Sequence, residues 1–106
     1  MKLIKFLIII FISLPSTIKA DLNENLTNKL KEGGKLIFIR HAIAPGGGDP
    51  ENFDINECNT QRNLDNNGRS QAKEIGNYLS SNKILIDKVI SSEWCRCKET
   101  ALLAFD

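Results

Sequence analysis

The feature that most limits how this sequence folds is an uninterrupted apolar run at residues 36–39 (Leu-Ile-Phe-Ile). Four successive apolar residues favour a strand that is buried on both faces, as in a parallel sheet, because a half-exposed strand alternates apolar and polar side chains. We therefore predict a first strand over residues 35–40. A second apolar segment, with isoleucine or valine at positions 84, 86, 89 and 90, predicts a second strand that ends at Ser91 and Ser92.

A helical pattern follows each predicted strand. Asp65 is suited to cap a helix that runs to about Ser80, with a buried stripe made of Ala72, Ile75, Gly76 and Leu79. Another helix is predicted to begin near Trp94. The order strand, helix, strand, helix is typical of parallel strands joined by right-handed crossovers. The predicted fold class is therefore α/β, the N-terminal part of a three-layer α/β/α fold with a mainly parallel sheet.

Two strands are too few for such a sheet, since each edge of a parallel sheet needs a neighbour. We therefore expect residues 35–106 to form an incomplete domain that needs further strands. Residues 21–34 are predicted as a short N-terminal helix, because leucines recur every four residues before Gly33 and Gly34.

Residues 1–20 are predicted to be a secretory signal peptide. A basic start, an apolar stretch and a small-residue end at Ala20 are the usual parts of such a segment. The apolar stretch is shorter than the roughly 20 residues that a spanning helix needs, so we expect no stable membrane anchor after cleavage. The expected location is exported, either periplasmic or extracellular.

The charge balance disfavours nucleic acid as a partner. The formal net charge of the chain is +1, and loss of residues 1–20 removes three lysines and no acid, which leaves −2. Proteins that bind nucleic acid carry basic clusters instead.

Three cysteines follow the predicted cleavage site: Cys58, Cys95 and Cys97. In an oxidising compartment two of them form a disulfide and one thiol is left over. Cys58 has two candidate partners, Cys95 and Cys97, and sequence spacing does not decide between them. A metal site made of these cysteines and His41 is disfavoured, because a single residue separates Cys95 from Cys97, whereas structural zinc sites use pairs two to four residues apart.

Residues suited to phosphate chemistry occur at the ends of the two predicted strands. Arg40 and His41 follow the first strand, Ser92 ends the second, and Arg96 lies in the first turn of the next helix. Ligands bind at the carboxyl ends of strands in α/β sheets, and helix N-termini attract anions. Arginine forks bind phosphate oxygens, and a neutral imidazole attacks phosphorus. Each residue alone has an ordinary structural explanation, but together they favour a binding site for a phosphoryl group.

Residues 36–42 resemble the strand and Arg-His motif that opens the histidine phosphatase (phosphoglycerate mutase-like) superfamily. Residues 61–64 and 68–72 are similar to the stretch that leads into the first crossover helix of that family. Residues 89–92, together with Arg96, resemble its second strand and the helix that carries a phosphate-binding arginine. The motifs occur in the family's order without a large insertion, so the small phosphohistidine-phosphatase-like branch is the most similar.

The resemblance implies a phosphomonoester hydrolase in which His41 forms a phosphohistidine that water hydrolyses. It implies that Arg40 and Arg96 clamp the phosphate, that Arg62 and Ser92 are further pocket candidates, and that neither a metal nor another cofactor is needed. The substrate would be a phosphorylated small molecule or a phosphoprotein. The family completes its pocket with a second histidine on a later strand, and His41 is the one histidine in this sequence. We therefore expect the chain to be truncated and its activity to be impaired.

An exported, non-catalytic module that binds phosphate or another anion is the competing interpretation. It requires Arg40, His41 and Arg96, but it does not require a second histidine. Binding of phosphate without turnover would distinguish it from the enzyme.

Overall fold

The computed structural model describes the backbone of residues 18–106 and the side chains of residues 24–106. Three helices follow one another along the chain: α1 at Ile18–Lys31, α2 at Asn66–Ser81 and α3 at Cys95–Phe105. A 3-10 turn at Cys58–Thr60 lies in the long segment between α1 and α2. The predicted signal peptide lies outside the described residues, except for its last three positions, which begin α1. In the part of the chain that the structure describes, no helix is both long and apolar enough to cross a membrane.

Helix α1 is attached to α2 through a side-chain hydrogen bond. Oγ1 of Thr27 lies 2.8 Å from the hydroxyl oxygen of Tyr78. The helix starts three residues before the predicted range and ends at Lys31. Gly33 and Gly34 follow it with φ values of 74° and 65°, a left-handed conformation that glycine adopts without steric cost. These two glycines end the helix and redirect the chain.

Helix α2 begins where its sequence predicts. Asp65 is the N-cap, and its carboxylate accepts a hydrogen bond from the Gly68 N–H at 2.8 Å. Such a cap satisfies one of the N–H groups that the first helical turn leaves unpaired. Ala72 and Leu79 from the predicted apolar stripe are buried, and Ile75 is half-buried. The apolar side of α2 therefore faces the interior.

Helices α2 and α3 pack closely because Gly76 has no side chain. A Cβ atom at position 76 would lie 2.1 Å from the carbonyl oxygen of Ala104, much closer than two such atoms approach each other. The main buried apolar cluster is also built from small and medium side chains: Ala42, Ala44, Leu64 and Ala72, with Leu103 packed against them. The packing therefore depends on close backbone approach rather than on large side chains.

Replacement of Gly76 by alanine is expected to lower the free energy of unfolding by about 1–3 kcal/mol, because the added methyl group forces α3 away from α2. Alanine gains roughly 1 kcal/mol over glycine in helix propensity, and the clash outweighs this gain. Urea denaturation followed by circular dichroism measures the difference. The control is Gly47→Ala, where no described residue other than its chain neighbours lies within 4 Å of the added atom. A Gly76→Ala protein as stable as this control would contradict the packing argument.

The two segments predicted as strands form no strand within the described residues. Residues 35–41 and 85–93 make no backbone–backbone hydrogen bond in this part of the chain, and a strand exists only through such pairing. Their apolar side chains, predicted to be buried on both faces, are instead largely exposed: Phe38 is 92% and Leu85 is 91% exposed. The predicted parallel sheet is therefore unconfirmed, although a helix follows each segment.

Candidate functional site

An open pocket lies where the predicted first strand meets the loop that follows it. Its volume is about 420 Å³, and it is lined by Arg40, His41, Ala42, Ile43, Ala44, Arg62, Gln71 and Ile75. The lining combines an imidazole with two guanidinium groups, which bind phosphate oxygens well. A larger hollow of about 610 Å³ between α2, α3 and residues 83–89 contains two lysines but no histidine or arginine. We therefore place the candidate site in the smaller pocket.

Helix α3 fixes the backbone on the C-terminal side of His41. The Ala42 N–H donates to Oγ1 of Thr100 at 3.0 Å, and the Thr100 hydroxyl donates to the carbonyl oxygen of Arg96 at 2.7 Å. Both of these hydrogen bonds are buried. They tie the position of His41 to the turn of α3 that carries Arg96.

Helix α2 holds the following residue. The Ile43 N–H donates to Oε1 of Gln71 at 2.9 Å. The helix approaches this closely because of Gly68, where a Cβ atom would lie 2.0 Å from the carbonyl oxygen of Ile43. Two helices thus hold the segment that carries the candidate nucleophile.

The His41 ring is oriented by a neighbouring backbone group. Its Nδ1 atom lies 2.7 Å from the carbonyl oxygen of Ala42. A carbonyl oxygen only accepts hydrogen bonds, so Nδ1 carries the proton in this contact. In the neutral ring the lone pair is then on Nε2, and this nitrogen is the one available to attack an electrophile.

Two arginines line the pocket with His41. Arg40 is exposed, whereas Arg62 is half-buried and donates from Nη1 to the carbonyl oxygen of Ala44. The Nε atom of Arg62 is buried and has no hydrogen-bond partner within the described residues. Gly46, with φ of 109°, lies against this side chain, and a Cβ there would be 3.3 Å from Cδ of Arg62. Arg62, which the sequence indicates only as a further pocket candidate, is therefore part of the pocket wall.

Arg96 does not line this pocket. It is 8% exposed, and its Nη1 atom forms an ion pair with Oδ1 of Asp49 at 3.0 Å. The ring of Trp94 lies over the guanidinium group, with Cζ 4.3 Å from the ring centroid, in a cation–π contact. The structure thus brings Arg40, His41 and Arg62 together and gives Arg96 an acidic partner of its own.

The surroundings of Asp49 hold the pKa of its carboxyl group below the usual value. The Arg62 backbone N–H donates to its Oδ1 atom at 2.8 Å, and this hydrogen bond does most to hold the pKa of Asp49 below its usual value. Burial acts in the opposite direction, and the hydrogen bond and charge of Arg96 lower the pKa further. The carboxylate therefore compensates the buried charge of Arg96.

The long loop before α2 is fastened to the N-terminus of α3. Cys58 and Cys95 form a disulfide with Cα atoms 5.6 Å apart. Oε1 of Gln61 accepts from the Cys95 N–H, and Nε2 of the same side chain donates to the carbonyl oxygens of Asp54 and Ile55, each at 3.0 Å. The first N–H group of α3, which the sequence assigns to an anion site, is thus occupied by a glutamine side chain.

The disulfide also decides between the two pairings left open by the sequence. Cys97 is the free cysteine and is half-buried. Because Cys58 and Cys95 are bonded to each other, they are not available as thiolate ligands.

Some site residues differ from those that the sequence indicates. Ser92 is exposed and lies outside the pocket lining. Asp49, Gln61, Gln71 and Thr100 make contacts that sequence reasoning missed. Asp49 precedes a proline and has the local signature of a turn, and the other three lie in stretches where no local spacing indicates their distant partners.

The sequence matches the histidine phosphatase superfamily (branch 1) over residues 36–106. Two similar proteins are the mitochondrial serine/threonine-protein phosphatases Pgam5 of Drosophila mojavensis and Drosophila ananassae. They are 37% and 36% identical to this chain over 82 and 73 residues, which are 77% and 69% of this chain. The same residues are 25% and 22% of the two relatives, so the chain spans about a quarter of their length. No solved structure matches the chain.

The matched range includes every residue of the pocket described above. The superfamily has an α/β fold, which confirms the predicted class while the sheet itself stays unconfirmed. The Arg-His motif and the motifs that follow it predict the same family as the match. The chain belongs to the histidine phosphatase superfamily.

Proposed function

We propose that this chain carries the phosphoryl-accepting part of a phosphomonoesterase, in which Nε2 of His41 attacks phosphorus. The observation that carries the proposal is the hydrogen bond between Nδ1 and the Ala42 carbonyl, which leaves the Nε2 lone pair free in a pocket with two arginines. The names of the relatives, serine/threonine-protein phosphatases, support phosphorylated substrates and favour a phosphoprotein among the classes that the sequence left open.

The proposed reaction has two steps. In the first, the Nε2–P bond forms as the bond between phosphorus and the ester oxygen breaks, and the leaving oxygen takes a proton from solvent to become an alcohol. In the second, water attacks phosphorus, the N–P bond breaks, and inorganic phosphate leaves the neutral imidazole. The Nδ1–H group keeps its hydrogen bond to Ala42 throughout, so the ring does not need to reorient.

The guanidinium groups of the pocket supply positive charge in both steps. Arg40 and Arg62 lie beside His41, where they neutralise the phosphate oxygens as negative charge develops. Burial strengthens this interaction for Arg62, whose surroundings have a lower dielectric constant than water. Arg96 lies outside the pocket lining and holds the backbone of the pocket in place. Its carbonyl oxygen accepts from the Thr100 hydroxyl, which accepts from the Ala42 N–H, and its Nη1 atom donates to the Arg62 carbonyl oxygen.

The test is to trap the intermediate on the protein. After incubation with p-nitrophenyl phosphate and rapid quenching in alkali, we expect a phosphoryl group on the peptide that contains His41, detected by mass spectrometry. An N–P bond is stable in alkali and is lost in acid, whereas a phosphoserine behaves in the opposite way. Label on a serine would contradict the proposal. Phosphate binding without any label or turnover would instead favour the non-catalytic anion-binding module.

A further inference from the structure

Asp49 and Arg96 together hold the backbone of Arg62 on both sides of its Cα atom. Its Oδ1 atom accepts from the Arg62 N–H at 2.8 Å and from Nη1 of Arg96 at 3.0 Å. The same Nη1 atom of Arg96 donates to the Arg62 carbonyl oxygen at 3.3 Å. The side chains of Asp49 and Arg96 are 13% and 9% exposed. The ion pair therefore fixes the backbone of Arg62 as well as the guanidinium of Arg96.

Both arginines keep one edge of the guanidinium group unused. Among the residues that the structure describes, all side-chain hydrogen bonds of Arg96 start at Nη1, and its Nε atom is buried without a partner. Arg62 likewise donates from Nη1 alone, to the Ala44 carbonyl, and its Nε atom is also buried without a partner. A buried donor without an acceptor is unfavourable, because it has lost its hydrogen bond to water without gaining another. Of the two, Arg62 lines the pocket, so an oxyanion there is expected to accept from its guanidinium group, because guanidinium edges bind phosphate oxygens in pairs.

We infer that Asp49 is a positioning residue that sets the Arg62 guanidinium group for an incoming phosphate, directly through the Arg62 N–H and indirectly through Arg96. The inference rests on the proposed function, since it concerns the phosphate that the same site would bind. Asp49 acts through the arginines and does not itself touch the phosphate. Its assignment goes beyond the local sequence signal, which indicates only a turn at Asp49 and Pro50.

The opposite role, a carboxylate that competes with phosphate for Arg96, fits the contacts less well. Asp49 is bonded to the backbone of Arg62 in addition to the side chain of Arg96, so phosphate would have to break both contacts to displace it. Arg96 also lies outside the pocket lining, so phosphate in the pocket does not meet its guanidinium group directly. Asp49 therefore holds Arg96 in place behind the pocket rather than competing for it.

The experiment compares Asp49→Ala with Asp49→Asn and Asp54→Ala in the full chain. Asp49→Ala removes both accepted hydrogen bonds, whereas Asp49→Asn keeps a side-chain oxygen at the same place. Asp54 is the matched control, because its carboxylate lies in the same loop and accepts from the Asn56 N–H, and it forms no ion pair with an arginine among the described residues. Asp49→Glu, which keeps the charge but moves it by one methylene group, serves if Asp49→Ala does not fold.

The first readout is the affinity for inorganic phosphate, measured by calorimetry. We expect Asp49→Ala to weaken binding by roughly 10- to 100-fold, as for groups that orient the direct ligands of a bound ion. Asp49→Glu should also bind more weakly, Asp49→Asn should recover most of the affinity, and Asp54→Ala should bind like the wild type. The positioning role would be overturned if Asp49→Ala and Asp49→Glu both bound phosphate with the wild-type affinity, or if either of them bound it more tightly.

The second readout needs no phosphate and separates this inference from the proposed function. The Nε–H signals of Arg62 and Arg96 in ¹⁵N-labelled protein report the order of the two side chains. We expect Asp49→Ala, or Asp49→Glu in its place, to shift both signals and accelerate their exchange with solvent, and Asp54→Ala to leave them in place. Unchanged signals would overturn the inference even if phosphate binds. If the signals change but the wild type does not bind phosphate, the proposed function is refuted. The role of Asp49 in phosphate binding is then refuted with it.

Discussion

Replacement of His41 by alanine is expected to lower the rate of p-nitrophenyl phosphate hydrolysis by about 10³-fold or more, because the variant lacks the atom that forms the bond to phosphorus. The pocket retains Arg40 and Arg62, so phosphate binding should change much less than turnover. This separation between kcat and binding marks a nucleophile rather than a binding residue. Initial rates measure turnover, and calorimetry measures phosphate binding. Both are measured on the longest polypeptide that contains these residues.

A sharper version of this prediction uses His41→Gly and added imidazole. The glycine variant leaves a space where the ring was, and free imidazole that enters it carries its own nucleophilic nitrogen. We expect imidazole to restore part of the rate in His41→Gly and to have no such effect on the wild type. Lys98→Ala is the matched control, because Lys98 is exposed and forms an ion pair with Glu93, away from the pocket. Undiminished turnover in His41→Gly without imidazole would show that another residue accepts the phosphoryl group.

The second large effect concerns stability. Reduction of the Cys58–Cys95 disulfide, or Cys58→Ser, is expected to lower the free energy of unfolding by about 3–4 kcal/mol. The bond joins residues 37 positions apart, so its loss frees a long stretch of the unfolded chain and increases its conformational entropy. For a domain of this size, this is a large fraction of the 5–15 kcal/mol that usually stabilises a folded protein.

Thermal denaturation with and without a reductant measures this effect. Cys97→Ser is the control, because Cys97 is free and its replacement should change the stability by less than about 0.5 kcal/mol. The reduced protein should also bind phosphate more weakly, since the same loop carries Asp49 and Arg62. A melting temperature that is insensitive to reductant in the wild type would contradict this prediction.

The features that the sequence predicted correctly depend on local interactions. Asp65 caps α2 through an N–H only three residues away, and the spacing of Ala72 and Leu79 follows from the helical repeat. Residues 35–40 and 84–90 were predicted as strands from their apolar runs, but a strand needs a partner elsewhere in space. A local apolar pattern indicates that a segment suits a sheet, but it does not identify the strand that would pair with it. This is why helices could be predicted here and the sheet is unconfirmed.

The same distinction applies to the candidate site. Arg40 and His41 are adjacent in sequence and were predicted as a pair, and both line the pocket. Arg96 was predicted to clamp phosphate beside them, but its partner is Asp49, 47 positions away. No periodicity or motif length indicates that contact, because it depends on how the long loop folds back on α3. Nonlocal ion pairs of this kind become visible only in the three-dimensional structure.

The two ends of the Gln61 side chain are not interchangeable. Its NH₂ group faces two carbonyl oxygens and its oxygen faces a backbone N–H, so a hydrogen-bond donor and an acceptor are each required at a fixed place. Deamidation replaces that NH₂ group with a carboxylate oxygen, which would then face the carbonyl oxygens of Asp54 and Ile55 in a buried position. Slow deamidation of this one side chain is therefore expected to weaken the hydrogen bonds that hold the loop, without any change in the encoded sequence.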